Sequence, residues 1–413
     1  MATIRIDRDS TVQFTALPGG HTYILDQNTA FWVDGTAFFI PTNAVNTKVQ
    51  VEGQFYGSQV STALVSAANN VDIGVARFGV ISGSNGVYMS GLGSDLVNHG
   101  MINGTAYNGV LIASDTSTIT NDGDITGLQY GVLIGERTPT TSYAIDNDGL
   151  IKGGIGISAS GQNGVMNFGE DSRIVGDTAG IRAFSYDGGS TTVTNRGYIG
   201  STQGEAYHGW AGVDTFINYG MVRSTIHLDA GNDVFIDRGG RITGVVLGGY
   251  GDDMFTVASK KTTLLELGGQ GNDTVRSSVT YSLEGMGEIE TLVLTGRNNI
   301  AGFGNGLDNR IVGNNFNNAI DGGEGTDILT GGGGVDRFMF QADHVVDYIT
   351  DFANNQDKIW LTGYDGYDSF DDLVMSQVGD TVEIEFVVGG SAEYLVVEGA
   401  RLRDLDQGDF VFN

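Results

Sequence analysis

Residues 304–339 read as four nonapeptides in unbroken register: GNGLDNRIV, GNNFNNAID, GGEGTDILT and GGGGVDRFM. The last two fit G-G-x-G-x-D-x-U-x, with U a large apolar residue, at each fixed position. Residues 248–256 (GGYGDDMFT) and 268–276 (GGQGNDTVR) fit it again. Each part of the repeat has a physical task. The glycines permit a tight turn that visits left-handed backbone conformations. The Asp at position six is expected to point into that turn, and the apolar residue at position eight into a core between two short strands. Stacked turns of this kind gather carboxylates and backbone carbonyls around a gap suited to Ca²⁺, a hard cation that takes about six to eight oxygen ligands. Four full matches in one chain predict a protein that binds several calcium ions.

Composition narrows the alternatives. Glycine supplies 66 of 413 residues, about one in six where an ordinary chain has about 7%. No collagen period accompanies it, and 40% of the residues are apolar, which excludes a disordered low-complexity chain. Proline occurs only at Pro18, Pro41 and Pro139, as long runs of hydrogen-bonded strand require. Acidic residues outnumber basic ones 50 to 21, a formal charge of −29, so nucleic acid and anionic lipid are poor partners. The same acidity favours solubility, and it makes a calcium-free chain repel itself. Cysteine is absent, which removes disulfide and thiol chemistry and leaves calcium as a substitute staple. The start, MATIRIDRDSTVQF, is polar and alternating, unlike a basic-plus-apolar export signal, and no apolar run approaches the ~18 residues of a membrane helix. An export address, if there is one, is expected elsewhere in the chain.

The predicted fold class is all-β: a right-handed parallel β-helix continuing into a calcium-binding parallel β-roll, with β-rich caps. Residues 1–69 read as a β-rich N-terminal cap, with alternation in IRIDRDSTVQF and an aromatic run in TAFWVDGTAFFI. Phe31, Trp32, Phe38, Phe39 and Tyr56 there are either cap core or an assembly patch, core being the better fit. Residues 70–227 read as the parallel β-helix. Asn-x-Gly recurs there at Asn98, Asn121, Asn147, Asn167, Asn195 and Asn218, at intervals of 20 to 28 residues, each followed by a short β stretch. Asn tolerates a left-handed turn and can stack on Asn of the next rung. Residues 228–340 read as the β-roll. Asp214, Asp233, Asp253 and Asp273 follow one another at 19 or 20 residues in G-x-D-x-apolar settings, which predicts a column of carboxylates along one edge. Gly251, Gly271, Gly325 and Gly334 hold position four of the fully matching repeats. Residues 341–413 read as a C-terminal cap with a short helix begun by Ser369 and its acidic first turn, then strands in TVEIEFVV and AEYLVVEG.

The segment from GNDTVRSS to GGGGVDRFMF strongly resembles the repeats-in-toxin, or hemolysin-type calcium-binding, proteins. DYITDF followed by DKIWL and the DFVFN end looks like the C-terminal domain of the serralysin family. The resemblance covers about residues 228–413. It implies a Gram-negative bacterial protein exported in one step by a type I ABC exporter that reads the uncleaved C-terminus, and a chain that folds on meeting extracellular calcium. Carried over residue by residue, position six falls on Asn309, Asn318, Asp327 and Asp336. The resemblance pairs Asn309 with Asp327 and Asn318 with Asp336. This chain departs from the family pattern where Leu307 and Phe316 replace Gly at position four and Asn replaces Asp at position six. Sites with Asp327 and Asp336 are therefore expected to be the firmest. Asp347 and Asp351, in DYITDF, either close the last turn or serve the fold.

Catalytic signatures are sparse. His21, His99, His208, His227 and His344 are the only histidines, and none stands in the H-E-x-x-H spacing of a zinc protease. The nearest constellation is Tyr207 and His208 with Arg173 and Arg182 on neighbouring coils. The sequence therefore reads as a non-enzymatic, secreted, calcium-binding structural protein of surface-layer, biofilm-matrix or adhesin type. Self-association or cell-surface polysaccharide are its expected partners. The alternative is an extracellular polysaccharide lyase or epimerase working on the β-helix.

Overall fold

The computed structural model describes residues 2–113, 116–135, 142–266 and 271–412, with side chains at 186 and 187 left aside. The first three residues of the nonapeptide at 268–276, and the last residue of the DFVFN end, lie outside them. The chain forms two compact units: residues 1–234 with 238–247, and residues 235–237 with 248–413. Each is a parallel β-solenoid. Among the described residues no helix is long and apolar enough to cross a membrane.

The first unit is built from three parallel columns of strand, one strand of each column per coil. One column runs through Thr3–Ile6, Thr22–Leu25, Lys48–Val51, Asp72–Val75, Asp95–Asn98, Ser117–Asn121 and Ser142–Asn147, and continues to Val213–Asn218. A second runs from Ala30–Trp32 and Gln54–Tyr56 to Met221–Arg223. The third runs from Phe14–Thr15 and Phe38–Ile40 to Glu205–His208 and Ile226–Ala230. Residues 1–69 are strand-rich as expected, and their strands already stand in these columns. Phe31, Phe38 and Phe55 are buried, whereas Trp32 is 58% exposed and stacks on Tyr56 with ring centroids 3.9 Å apart. The core reading thus fails for Trp32, whose side chain falls on the outer side of an alternating strand.

Alternation of side chains along each strand fills the interior. Ile73, Leu96, Ile119, Ile145, Met166, Val193 and Phe216 follow one another in register, all buried. Beside this apolar file runs a polar one. Asn98 Nδ2 donates to Asn121 Oδ1 (2.7 Å), Asn121 Nδ2 to Asn147 Oδ1 (2.6 Å) and Asn147 Nδ2 to Ser172 Oγ (2.6 Å). Asn195 Nδ2 donates to Asn218 Oδ1 at 2.9 Å. Phe168 takes the equivalent place between Asn147 and Asn195, so Asn167 is left out of the file and bonds Asp146 instead. The predicted stacking is present, but the predicted left-handed conformation is not: Asn98, Asn121 and Asn147 are the extended last residues of their strands. The turn is shaped through the side chain, since Asn121 Nδ2 also reaches the Gly123 carbonyl and Asn147 Nδ2 the Gly149 carbonyl. That explains the Asn-x-Gly spacing.

In the second unit the coil shortens to two strands and 17 to 21 residues. One column holds Thr274–Ser277, Thr291–Leu294, Arg310–Val312, Ile328–Thr330 and Val346–Ile349. The other holds Tyr281–Ser282, Ala301–Phe303, Ala319–Asp321, Arg337–Gln341 and Lys358–Thr362. The position-eight residues Phe255, Val275, Ile311, Ile320, Leu329 and Phe338 are fully buried. Both columns end under the C-terminal segment: Ser391–Glu398 pairs with Val346–Ile349, and Phe410–Phe412 with Lys358–Thr362. The short helix expected after Ser369 is one 3₁₀ turn, Phe370–Asp372, because Val374–Val378 leaves it to pair antiparallel with Thr381–Val388. Asp372 reaches back to the start of that turn, its Oδ2 accepting from Ser369 N–H and Oγ at 2.9 and 2.7 Å.

The buried asparagine file gives a direct test. Asn121→Ala removes one donor and one acceptor from it and leaves the Asn98 amide and the Asn147 carbonyl without their partner. A loss of about 1–3 kcal/mol is expected for the first unit in chemical denaturation, whereas Asn167→Ala, outside the file, should change stability little.

Candidate calcium-binding turns

One contact repeats along the position-six residues. The backbone N–H of each donates to the side chain one rung further on. Asn309 N–H donates to Asp327 Oδ1 (2.8 Å), and Asp327 N–H to Asp347 Oδ1 (2.9 Å). On the opposite edge Asn318 N–H donates to Asp336 Oδ1 (2.7 Å), and Asp336 N–H to Asp357 Oδ1 (2.9 Å). The pattern holds earlier, from Asp253 N–H to Asp273 Oδ1 (2.8 Å) and from Asp273 N–H to Glu290 Oε2 (2.7 Å). Within the first unit it runs from Asp214 N–H to Asp233 Oδ1 at 2.6 Å. The pairings of Asn309 with Asp327 and of Asn318 with Asp336 are therefore real neighbours.

These carboxylates are buried, and burial holds their protons on. It pushes Asp327 up to about 8, opposed by the Asn309 N–H and reinforced by Asp347, Asp343 and Asp308. Burial likewise raises Asp336 and Asp347 to about 7, and Asp273 to about 6. Asp327 Oδ2 is buried with no hydrogen-bond partner and faces the backbone of Gly322. An orphaned anionic oxygen among further carboxylates and turn carbonyls is what a hard divalent cation neutralises, so the residues at Asp327, Asp336 and Asp347 fit calcium. The glycines fit as well. Gly325 and Gly334 lie at φ +105° and +115°, and a Cβ on Gly325 would fall 2.6 Å from the Leu307 carbonyl oxygen one coil below. Gly251 is also left-handed, at φ +120°, and a Cβ on Gly271 would fall 2.0 Å from its carbonyl oxygen.

The asparagine turns are built differently. Asn309 Oδ1 accepts from Asn305 N–H (2.7 Å), and its amide donates to the carbonyls of Ile289 (3.1 Å) and Glu290 (3.3 Å). Asn305 Nδ2 adds bonds to the carbonyls of Gly287 and Ile289, both 3.1 Å. Asn318 and Asn314 repeat this on the other edge, donating to the carbonyls of Ile300, Thr295 and Asn298. Carbonyls that a cation would need are thus occupied by amide hydrogens, and an ionised Asp has none to give. Asn309 and Asn318, named from the sequence as metal ligands, serve as amide staples towards the preceding turns.

Asp214 and Asp351 also find protein partners. Ser185 Oγ donates to Asp214 Oδ1 at 3.4 Å, while Asp214 Oδ2 is buried with no hydrogen-bond partner and burial raises the carboxyl to about 7. Asp351 accepts from Gly331 and Gly332 N–H, both 2.7 Å, and Asp357 rather than Asp351 stands in the position-six file. Sequence reading missed Glu266, which accepts from Gly248 and Gly249 N–H at 2.8 and 3.0 Å and is pushed up to about 7 by burial. It also missed Glu290 and Asp357. The signal available was an acid 17 to 21 residues beyond each of the groups it caps. The constellation of Tyr207, His208, Arg173 and Arg182 divides: Tyr207 is buried, Arg182 pairs with His208 in register, and Arg173 lies in another column over the Tyr198 ring.

No protein family and no curated protein matches the chain by sequence, so the family resemblance rests on the residues that carry it. Among solved structures, the chain is similar to the extracellular lipase LipA from Serratia marcescens, at 17% identity and a TM-score of 0.24. The match covers 56% of this chain and 41% of that one. A likeness at this level carries no argument about activity. The expectation of a non-enzymatic protein is not carried forward, the matched protein being by name a lipase.

Three outcomes follow from the turns. Without calcium the folded chain keeps protons on Asp327 up to about pH 8 that the unfolded chain releases near 3.8, so stability falls as pH rises across that interval. Thermal unfolding of chelated protein should give a higher midpoint at pH 5 than at pH 8, and millimolar calcium should abolish or invert that order. Asp327→Asn should lower the number of calcium ions bound, read by calorimetric titration, while easing folding in chelator. Asn309→Asp should make folding more calcium-dependent.

Proposed function

We propose that this chain is a secreted calcium-binding protein that sets into its folded form on meeting extracellular calcium and then self-associates at a cell surface or in its matrix. The observation that carries this reading is the set of buried carboxylates at Asp327 and Asp347 on one edge and Asp336 on the other, with Asp327 Oδ2 unpartnered. Taking a cation there stabilises the folded state alone, by RT ln(1 + [L]/Kd), roughly 1–3 kcal/mol per site when calcium is about 10–100 times Kd. At low calcium the repulsion within a chain of formal charge −29 acts against folding, which suits export of an unfolded chain by a type I ABC exporter. Trp32, stacked on Tyr56 and open to solvent, offers an aromatic face of the kind that packs on a sugar ring of cell-surface polysaccharide or on a second copy.

A calcium titration from chelator to several millimolar, followed by circular dichroism and light scattering, tests the proposal. Strand signal rising with calcium, then ordered growth in size that Trp32→Ala reduces, is the expected result. Folding into a lasting monomer would refute the assembly role, and an unchanged spectrum would refute calcium-driven folding as well.

A further inference from the structure

Away from the acidic turns, the third column of the first unit brings two imidazoles and two carboxylates together. His208 and His227 occupy the same register position on successive rungs, with ring centroids 5.2 Å apart and planes 24° from parallel. Glu205, three residues before His208, reaches both: Oε2 lies 2.7 Å from His208 Nδ1, and Oε1 lies 3.5 Å from His227 Nδ1. Each of the three side chains offers one ligand atom within 4.8 Å of the others. On the far side of the His208 ring, Asp229 Oδ2 lies 3.5 Å from Nε2. Asp229 has φ +80°, a left-handed conformation that Asp adopts more readily than most residues other than Gly.

We infer that Glu205, His208 and His227 form a binding site for a borderline divalent cation of the zinc, nickel or copper kind, with Asp229 orienting His208 from behind. Two nitrogens and a carboxylate oxygen are the donor set such ions select, whereas calcium selects oxygens throughout. The separations are near those required. Ligand atoms around a zinc ion at about 2.0–2.1 Å stand about 3.3 Å apart. The 3.5 Å contact, through Oε1, already matches, and the 2.7 Å contact, through Oε2, is a hydrogen bond that opens by about 0.6 Å when the cation takes the place of the shared proton. His208 then ligates through Nδ1 and directs Nε2–H towards Asp229, the carboxylate–histidine–metal arrangement that fixes ring and tautomer. The four side chains are between a quarter and a third exposed, leaving room for entry and for a water ligand. Trp210, with its ring centroid 6.3 Å from that of His208, stands close enough to report occupancy.

The test uses the full chain folded in millimolar calcium. Zinc is titrated calorimetrically, and copper is followed by quenching of tryptophan fluorescence. One zinc per chain should bind in the presence of excess calcium. His227→Ala and Glu205→Gln should each weaken it at least tenfold, and Asp229→Asn about 10- to 100-fold. Trp210→Phe should remove most of the copper quenching. Circular dichroism confirms that each variant still folds with calcium. Absence of zinc uptake under excess calcium overturns the inference. So does uptake that none of Glu205→Gln, His227→Ala and Asp229→Asn alters, since the ion would then sit elsewhere.

Discussion

Backbone amides aimed at buried carboxylates organise the second unit. The turn of one coil hands its position-six N–H to the acid of the next, 18 to 21 residues on. It also creates an electrostatic problem. An N–H donor satisfies one oxygen of each carboxylate and neutralises none of its charge, and at Asp327 the second oxygen is left with nothing. Burying a charge without a counter-charge is costly. The folded chain can hold a proton on each acid or take up a cation. The raised proton affinities of Asp327, Asp336 and Asp347 are the first answer. Calcium is the second, and the one that supplies counter-charge as pH rises and those protons leave.

Asparagine solves the same geometric problem without charge. Its amide is donor and acceptor at once, so a column of asparagines closes on itself. Asn98, Asn121 and Asn147 do this along the first unit, whereas at the start of the nonapeptide run Asn309 and Asn318 accept from the backbone N–H of Asn305 and Asn314 and donate to backbone carbonyls of preceding turns. The nonapeptide run at 304–339 therefore begins on rungs that need no ion and passes to rungs that do. Leu307 and Phe316 fit this division, because the Asn305 and Asn314 side chains accept from their N–H groups and hold the turn without a left-handed glycine at position four.

What was legible in the sequence follows from what has a period. The position-eight apolar residues and the Asn-x-Gly spacing repeat, and both columns and core were readable from them. The close approach of coils at Gly325 and Gly334 was readable because little but glycine survives there. Contacts that depend on which rung lies next were not. Glu266 and Asp357 stand at the ends of runs and match no repeat, yet their carboxylates close the backbone of turns 17 to 21 residues earlier. Asn309 resembled a weak metal ligand in sequence because its oxygen was counted, while its amide hydrogens decide its role. The pairing of Glu205 with His208 and His227 was hidden because only the coil length brings His227 onto His208.

A crystal structure grown in millimolar calcium would test the central claim most directly. Ions should appear against Asp327, Asp336 and Asp347, with Asn309 and Asn318 still donating to the carbonyls of Ile289, Glu290 and Ile300. Carboxylates turned out to solvent with no ion bound, or ions held equally at the Asn309 and Asn318 amides, would contradict it.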